Sequence, residues 1–387
     1  MAKRINYSLS LLALLACFCV QAQDSIRVGL FHNTKIQSMF IGVQTGGYEV
    51  RGFSYPITLQ PGDLLKLSRQ GKKVVGEFQG QVYGPVETRL LVQPFVEESS
   101  LKILPITPKK TERWYEGSIE LVVNSGRLLP VNIIHIESYL PGVVEAETGG
   151  SQTKEFYKVQ GTISRTYAIR NFKRHKLEGF SVCDQVHCQV YHGVSRSNTD
   201  IHAAIKETVG KVIVNEDLQL ITAAFHSNCG GETVNSEHVW SAPVQSLRSV
   251  SDSFCLDQPH YNWKFKLSTR EWEKYVLDRS AIPDGDTSKI FQFQQPSRST
   301  HFLDFNEGIP LKNIRRDWRL KSTYFDLEQG SEFVYFLGRG FGHGVGMCQE
   351  GAMIMARNLK KYHEIIHHYY TQTYIVDRKW LPVLRSK

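Results

Sequence analysis

Glu137, Glu145 and Glu147 sit close together where an apolar run ends and a new element begins, the kind of junction at which a general acid works. The segment before the last of them, Leu140-Pro141-Gly142-Val143-Val144, supplies the apolar setting that would keep Glu147 protonated near neutral pH. Downstream, Cys183-Asp184-Gln185-Val186-His187-Cys188-Gln189-Val190-Tyr191 is dense in potential ligands. Cys183 and Cys188 with His187 between them have zinc-ligand composition, His175 is a further candidate ligand, and a short disulfide or two free thiols are the competing states. A third stretch, Gly338-Arg339-Gly340-Phe341-Gly342-His343-Gly344-Val345-Gly346-Met347-Cys348-Gln349, has glycine on every second position, so a backbone can approach where side chains would block it. It predicts a lined groove. The spacing never provides the three-residue step of G-x-G-x-x-G, and no P-loop lysine follows, so neither nucleotide loop is present.

One motif argues for different chemistry. His363-Glu364-Ile365-Ile366-His367 matches the zinc-protease pattern H-E-x-x-H. Its context does not support that use: no glutamate follows Glu364, and Tyr370 and Thr373 stand where the extended motif needs glycine and histidine.

The elements that must position these groups can be read from periodicity. Glu332 to Leu337 predicts a strand and Gln349 to Asn358 a helix, so the glycine stretch joins the two. Phe156, Val159, Ile163 and Tyr167 recur at helical spacing, predicting a helix from about Gln152 to Lys173 with Arg165 on the opposite, partly covered face. From Ser25 to about Asn124, short alternating runs separated by Gly, Pro and Asn predict a β-rich region. Val131 to Leu140 reads as an apolar strand-like run, and Leu218 to Phe225 as a strand leading into His226-Ser227-Asn228-Cys229-Gly230-Gly231. Pro283 to Asn313 reads as a polar, irregular insertion or surface flap.

A chain of 387 residues is long enough for two or three lobes. Residues 1–22 have the basic start, apolar run and small-residue end of a secretory leader, with cleavage expected after Ala22. The expected location is therefore exported, periplasmic or at the cell envelope. Leu14-Leu15-Ala16-Cys17 also resembles a lipobox, which would instead anchor the chain through Cys17. The net charge is +8, two of those charges being Lys3 and Arg4 of the leader. No basic run interleaved with aromatics appears, so no nucleic-acid partner is expected. Beyond the leader, Cys183, Cys188, Cys229, Cys255 and Cys348 are odd in number, so one thiol is expected to stay unpaired unless a metal or partner takes it.

Together, Glu137-Ser138-Tyr139-Leu140-Pro141-Gly142-Val143-Val144, Glu147 and Arg165-Thr166-Tyr167-Ala168 resemble the stage II sporulation protein D (SpoIID/LytB) family. So do Cys183 to Tyr191, Ser227 to Gly231, Val239-Trp240, Gly338 to Ala352 and Glu364 to Tyr370, in that order. The resemblance implies an α+β protein. Residues 23–125 would be β-rich and 126–387 a mixed α/β catalytic region, with a cleft where Glu147, the Arg165 helix and the glycine loop converge. It implies lytic transglycosylase action on peptidoglycan glycan strands stripped of stem peptides, with Glu147 as the catalytic acid. The alternative is a non-catalytic glycan-binding activator of an N-acetylmuramoyl-L-alanine amidase, which would be its partner. Arg165, His187, Gln189, Tyr191, Ser227, Trp240, Arg339, His343 and Gln349 would line the cleft, although Arg165 serves equally well as half of a structural salt bridge. No cofactor is needed for that chemistry, and a structural zinc at Cys183, His187 and Cys188 resembles the metal-binding version of this block. Cys229 and Cys348 depart from the commoner pattern, which has serine at both places. Cys229 with Cys255 is the preferred disulfide, leaving Cys348 free, and Cys229 with Cys348 is its competitor.

Overall fold

The computed structural model describes residues 24–381 apart from 88, 196–197, 241, 281–286 and 304–307; the expected leader, with Cys17, lies outside the described residues. The chain divides into two compact units, one ending at Lys211 and regaining the chain at Asp377, the other running from Val212 to Val376.

Among the described residues of the first unit, thirteen strands form two sheets. They are β1 (Ser25–Gly29), β2 (Ser38–Thr45), β3 (Tyr48–Arg51), β4 (Ile57–Leu59), β5 (Leu64–Gln70), β6 (Lys73–Phe78) and β7 (Gln81–Val86). After them come β8 (Leu90–Pro94), β9 (Ser100–Thr107), β10 (Arg113–Glu116), β11 (Ser118–Asn124), β12 (Arg127–His135) and β13 (Val182–Cys183). One sheet runs β13-β1-β12-β11-β8-β3-β4 and the other β10-β9-β2-β5-β6-β7. Period-two burial of Met39, Ile41 and Val43, of Leu65 and Leu67, and of Leu101 and Ile103 gives the second sheet one apolar face. That face meets the first sheet where β5 and β6 approach β12 and β11. The expected boundary near residue 125 falls in the tight turn of the β11–β12 hairpin, where Asn124 pairs with Arg127 inside a continuous sheet.

Three helices follow: α1 (Ile136–Thr148), α2 (Lys154–Arg170) and α3 (Thr199–Glu207). The run read as strand-like to Leu140 changes to helix at Ile136, because Ile136, Tyr139, Leu140, Val143 and Val144 form one helical stripe, every member fully buried. His135 starts α1 by accepting the Glu137 N–H on its Nδ1 at 3.2 Å. Gly142 is required there, since a Cβ would lie 1.9 Å from the Gly193 carbonyl oxygen. Thr153 caps α2 through the Phe156 N–H. This helix packs against both α1 and α3, so its second face is buried as well.

The second unit centres on an antiparallel sheet in which the strand Phe333–Arg339 lies between Asn262–Ser268 and Tyr324–Gln329. Helix α4 (Thr269–Leu277) covers it through fully buried Trp272. Ile290, Phe291, Phe302 and Ile309 join the same core, so the described part of the stretch expected to be a surface flap is a packed element. Helices α5 (Gln349–Arg357) and α6 (Tyr362–Tyr369) complete the unit. Among the described residues, no helix is long and apolar enough to cross a membrane.

Candidate active site and thiol cluster

Glu147 stands in the last turn of α1, half-buried, with its Oε1 accepting the Val190 N–H at 2.7 Å. Two influences compete on its proton. Burial raises its pKa above the usual glutamate value, and the Val190 N–H, which favours the anion, pulls it back only in part. The net effect is a carboxyl that holds its proton longer than a solvated one. Tyr139, fully buried on the same helix, donates its hydroxyl to Gln189 Oε1 at 3.4 Å, and its ring lies tilted against that of Tyr191 with centroids 4.8 Å apart.

The segment carrying Val190 begins at Cys183. His175, Cys183, His187 and Cys188 bring four donor atoms within 4.8 Å of one another. His187 Nδ1 lies 3.8 Å from Cys183 Sγ and 3.6 Å from Cys188 Sγ, and His175 Nε2 lies 3.4 Å from Cys188 Sγ. The other nitrogen of His175 bonds Glu178 at 2.6 Å, which fixes the ring and leaves Nε2 directed at the sulfur. The Cys183 thiol donates to Cys188 and draws it down to about 7, while Cys183 itself rises to about 12. Two thiols and two imidazoles at this spacing fit the tetrahedral preference of zinc. Sequence alone left the role of Asp184 unread. Fully buried, it accepts Phe31 N–H at 2.7 Å, His32 N–H at 3.1 Å and Arg113 Nη1 at 2.8 Å, fastening the ligand loop to the end of β1.

Several residues expected to line a cleft have other tasks. Arg165 is completely buried and forks onto Glu137, Nε to Oε1 at 2.9 Å and Nη2 to Oε2 at 2.6 Å, while Nη1 reaches the Lys211 carbonyl at 3.1 Å. It is the structural salt bridge of the two options, and its guanidinium has no face left for substrate. Gln189 and Tyr191 are buried too, Tyr191 donating to Asn132 Oδ1 at 3.1 Å. His187 alone of the three in that loop is exposed.

In the second unit, Trp240 and His343 come together, with ring centroids 5.7 Å apart, and the His226 ring lies 5.5 Å from that of His343. Burial, with Arg315 nearby, pushes His343 down to about 4, so the ring is neutral and its Nδ1 accepts the Val345 N–H at 3.0 Å. Ser227 is half-buried, its carbonyl accepting the Glu350 N–H. Arg339 stacks 3.9 Å over Tyr324 and donates to Gln295 O, and Gln349 is buried at the start of α5. What the glycine stretch admits closely is the protein's own chain: Phe341 exchanges backbone bonds with Asn228 at 2.8 and 3.1 Å, and a Cβ on Gly340 would sit 2.7 Å from Asn228 O. Glu364 caps its own helix by accepting Lys361 N–H at 2.7 Å. Among the described residues His363 and His367 join no group of metal-binding donors.

Residues 124–215, which hold α1, α2 and the Cys183–Cys188 loop, match the SpoIID family, described as Stage II sporulation protein. An uncharacterized protein of Brachyspira hyodysenteriae is 29% identical over 269 residues, 68% of this chain and 72% of that protein. Stage II sporulation protein D of Bacillus subtilis is 29% identical over 267 residues, 64% of this chain and 76% of its own length. The amidase enhancer of Bacillus subtilis is 27% identical over 290 residues, 60% of this chain and 40% of its own.

Proposed function

We propose that this chain, whose residues 124–215 match the SpoIID family and which is similar to the stage II sporulation protein D and the amidase enhancer of Bacillus subtilis, acts on the cell wall as an exported lytic transglycosylase, cutting denuded peptidoglycan glycan to leave 1,6-anhydroMurNAc ends. The observation that carries this reading is Glu147, a half-buried carboxyl in the matched region whose pKa is raised by burial and whose Oε1 accepts the Val190 backbone N–H.

One acid suffices for the reaction. Protonated Glu147 donates to the oxygen bridging MurNAc and GlcNAc, the bond from the MurNAc anomeric carbon to that oxygen breaks, and the GlcNAc alcohol leaves. The MurNAc 6-hydroxyl then closes on the anomeric carbon and returns its proton to the Glu147 carboxylate, so no water is consumed. Burial favours Glu147 in the first step, and the Val190 N–H steadies the anion that exists between the two. Incubating denuded glycan with the mature chain and identifying products by mass spectrometry tests the reading. Absence of anhydro ends under every metal condition removes it.

The sign of the pH dependence follows. Since the active form is protonated, log kcat/KM is level at low pH and falls as pH rises through the raised pKa of Glu147. A pH–rate profile with its descending limb above the usual glutamate range, about 4.3, is expected. A rate that climbs with pH across that limb contradicts the acid role.

In the same reading, His175, Cys183, His187 and Cys188 hold a structural zinc that takes no part in bond breaking and orders the segment reaching Val190. Cys188→Ser is expected to remove one zinc per chain by elemental analysis and to speed hydrogen exchange at the Val190 amide. Unchanged zinc content overturns this part.

The second reading, a glycan-binding activator partnered with a cell-wall amidase, is favoured by the likeness to the Bacillus subtilis amidase enhancer. It predicts that Glu147→Gln retains the full biological effect.

A further inference from the structure

Three cysteines and an aspartate that lie far apart in the sequence converge in the core of the second unit. Cys229, Asp252, Cys255 and Cys348 place their ligand atoms within 4.8 Å of one another, and all four residues are buried. Cys229 Sγ lies 3.4 Å from Cys255 Sγ and 3.3 Å from Asp252 Oδ2. We propose that this cluster is a second metal site, separate from the Cys183–Cys188 loop, which binds one zinc ion through three thiolates and the Asp252 carboxylate.

Spacing is the first reason. A tetrahedral zinc with Zn–S bonds of about 2.3 Å sets its sulfurs about 3.8 Å apart, whereas a disulfide needs about 2.05 Å. The observed 3.4 Å between Cys229 and Cys255 is nearer the zinc edge, and all five described cysteines are free thiols.

The surroundings give the second. Three backbone N–H groups point at sulfur: Gly231 at Cys255 (3.2 Å), Cys229 at Cys348 (3.3 Å) and Gly351 at Cys348 (3.4 Å). Such donors stabilise sulfur as an anion, the state in which it binds metal. Asp252 is likewise fixed, with Tyr369 Oη–H donating to Oδ2 at 2.8 Å and Phe254 N–H to Oδ1 at 3.0 Å. Gly351 makes the room, since a Cβ there would meet Asp252 Oδ2 at 2.2 Å.

Charge accounting gives the third. A Cys229–Cys255 disulfide would use two of the four donors. It would leave Cys348 with two N–H groups aimed at its sulfur, and a fully buried Asp252 whose hydrogen-bond partners are all neutral. A buried carboxylate without a cation is costly. A divalent ion engages all four groups at once, and it joins the 227–231 turn, the 252–255 turn and the start of α5.

The test removes the other cluster first. A mature Cys183→Ser/Cys188→Ser chain, purified without reductant, is expected to retain one zinc by elemental analysis and to lose it on adding Cys255→Ser. Wild-type protein denatured in chelator with iodoacetamide and no reductant is expected to be alkylated at Cys229, Cys255 and Cys348. A zinc-free Cys183→Ser/Cys188→Ser chain, or a Cys229–Cys255-linked peptide from the wild type, overturns the proposal. Should that chain not fold, the wild type decides: two zinc ions per chain uphold the site, and fewer overturn it. None of these readouts depends on glycan cleavage.

Discussion

Glu147→Gln is expected to abolish the release of 1,6-anhydroMurNAc ends from denuded glycan, with kcat/KM falling by about 10²–10⁴-fold. The amide keeps the size of the side chain and can still accept the Val190 N–H through its carbonyl oxygen, so the fold and the position at the end of α1 should persist. What disappears is the proton. An amide neither gives a proton to the bridging oxygen nor takes one from the 6-hydroxyl, so both halves of the reaction fail together. Glycan binding, measured by co-sedimentation with the insoluble polymer, should be unchanged. A variant that still generates anhydro ends at the wild-type rate would falsify the assignment, and one that retains the full biological effect would hand the function to the activator reading.

Removing one member of a buried ion pair should produce the largest change in stability. In Arg165→Ala, Glu137 loses the fork that holds both its oxygens, and a cost of about 3–5 kcal/mol in denaturant unfolding is expected. Replacing both partners together, Arg165→Met with Glu137→Leu, should recover most of that loss, because a fitted apolar pair leaves no stranded charge. This pattern separates a structural role from a substrate-binding one. If Arg165→Ala keeps its stability and instead raises KM for glycan, the arginine faces substrate after all.

Much of the fold was legible where periodicity is strong. Phe156, Val159 and Ile163 announced α2, and the alternation between Ser25 and Asn124 announced the sheets. Where the reading failed, a local signal hid a longer one. Pro141-Gly142 masked the helical stripe from Ile136 to Val144, although Pro141 is accommodated inside α1 and Gly142 is there for the Gly193 carbonyl. The polar composition of 283–313 concealed Ile290, Phe291 and Phe302, too sparse to form a pattern yet all in the core. At the site, Cys183, His187 and Cys188 were visible because their ligands are close in sequence, and His175 lies only one turn and a loop away. The second cluster draws on positions 229, 252, 255 and 348, and no spacing rule links residues so far apart. Arg165 was read correctly as lying on a covered face, but pairing with Glu137 could be settled only when α1 and α2 were brought side by side.

Glu137 and Glu147 ride on the same helix, ten residues or about 15 Å apart along its axis. One carboxylate is bolted to the interior at the first turn, and the other is presented at the last. The two therefore move as the ends of a rod, so any displacement of Glu147 by tilting α1 would tear at the helix's own anchor. Adjustment of the Glu147 carboxyl has to come from the segment opposite, around Val190, where a shift of backbone can re-aim it without disturbing what keeps the helix in place.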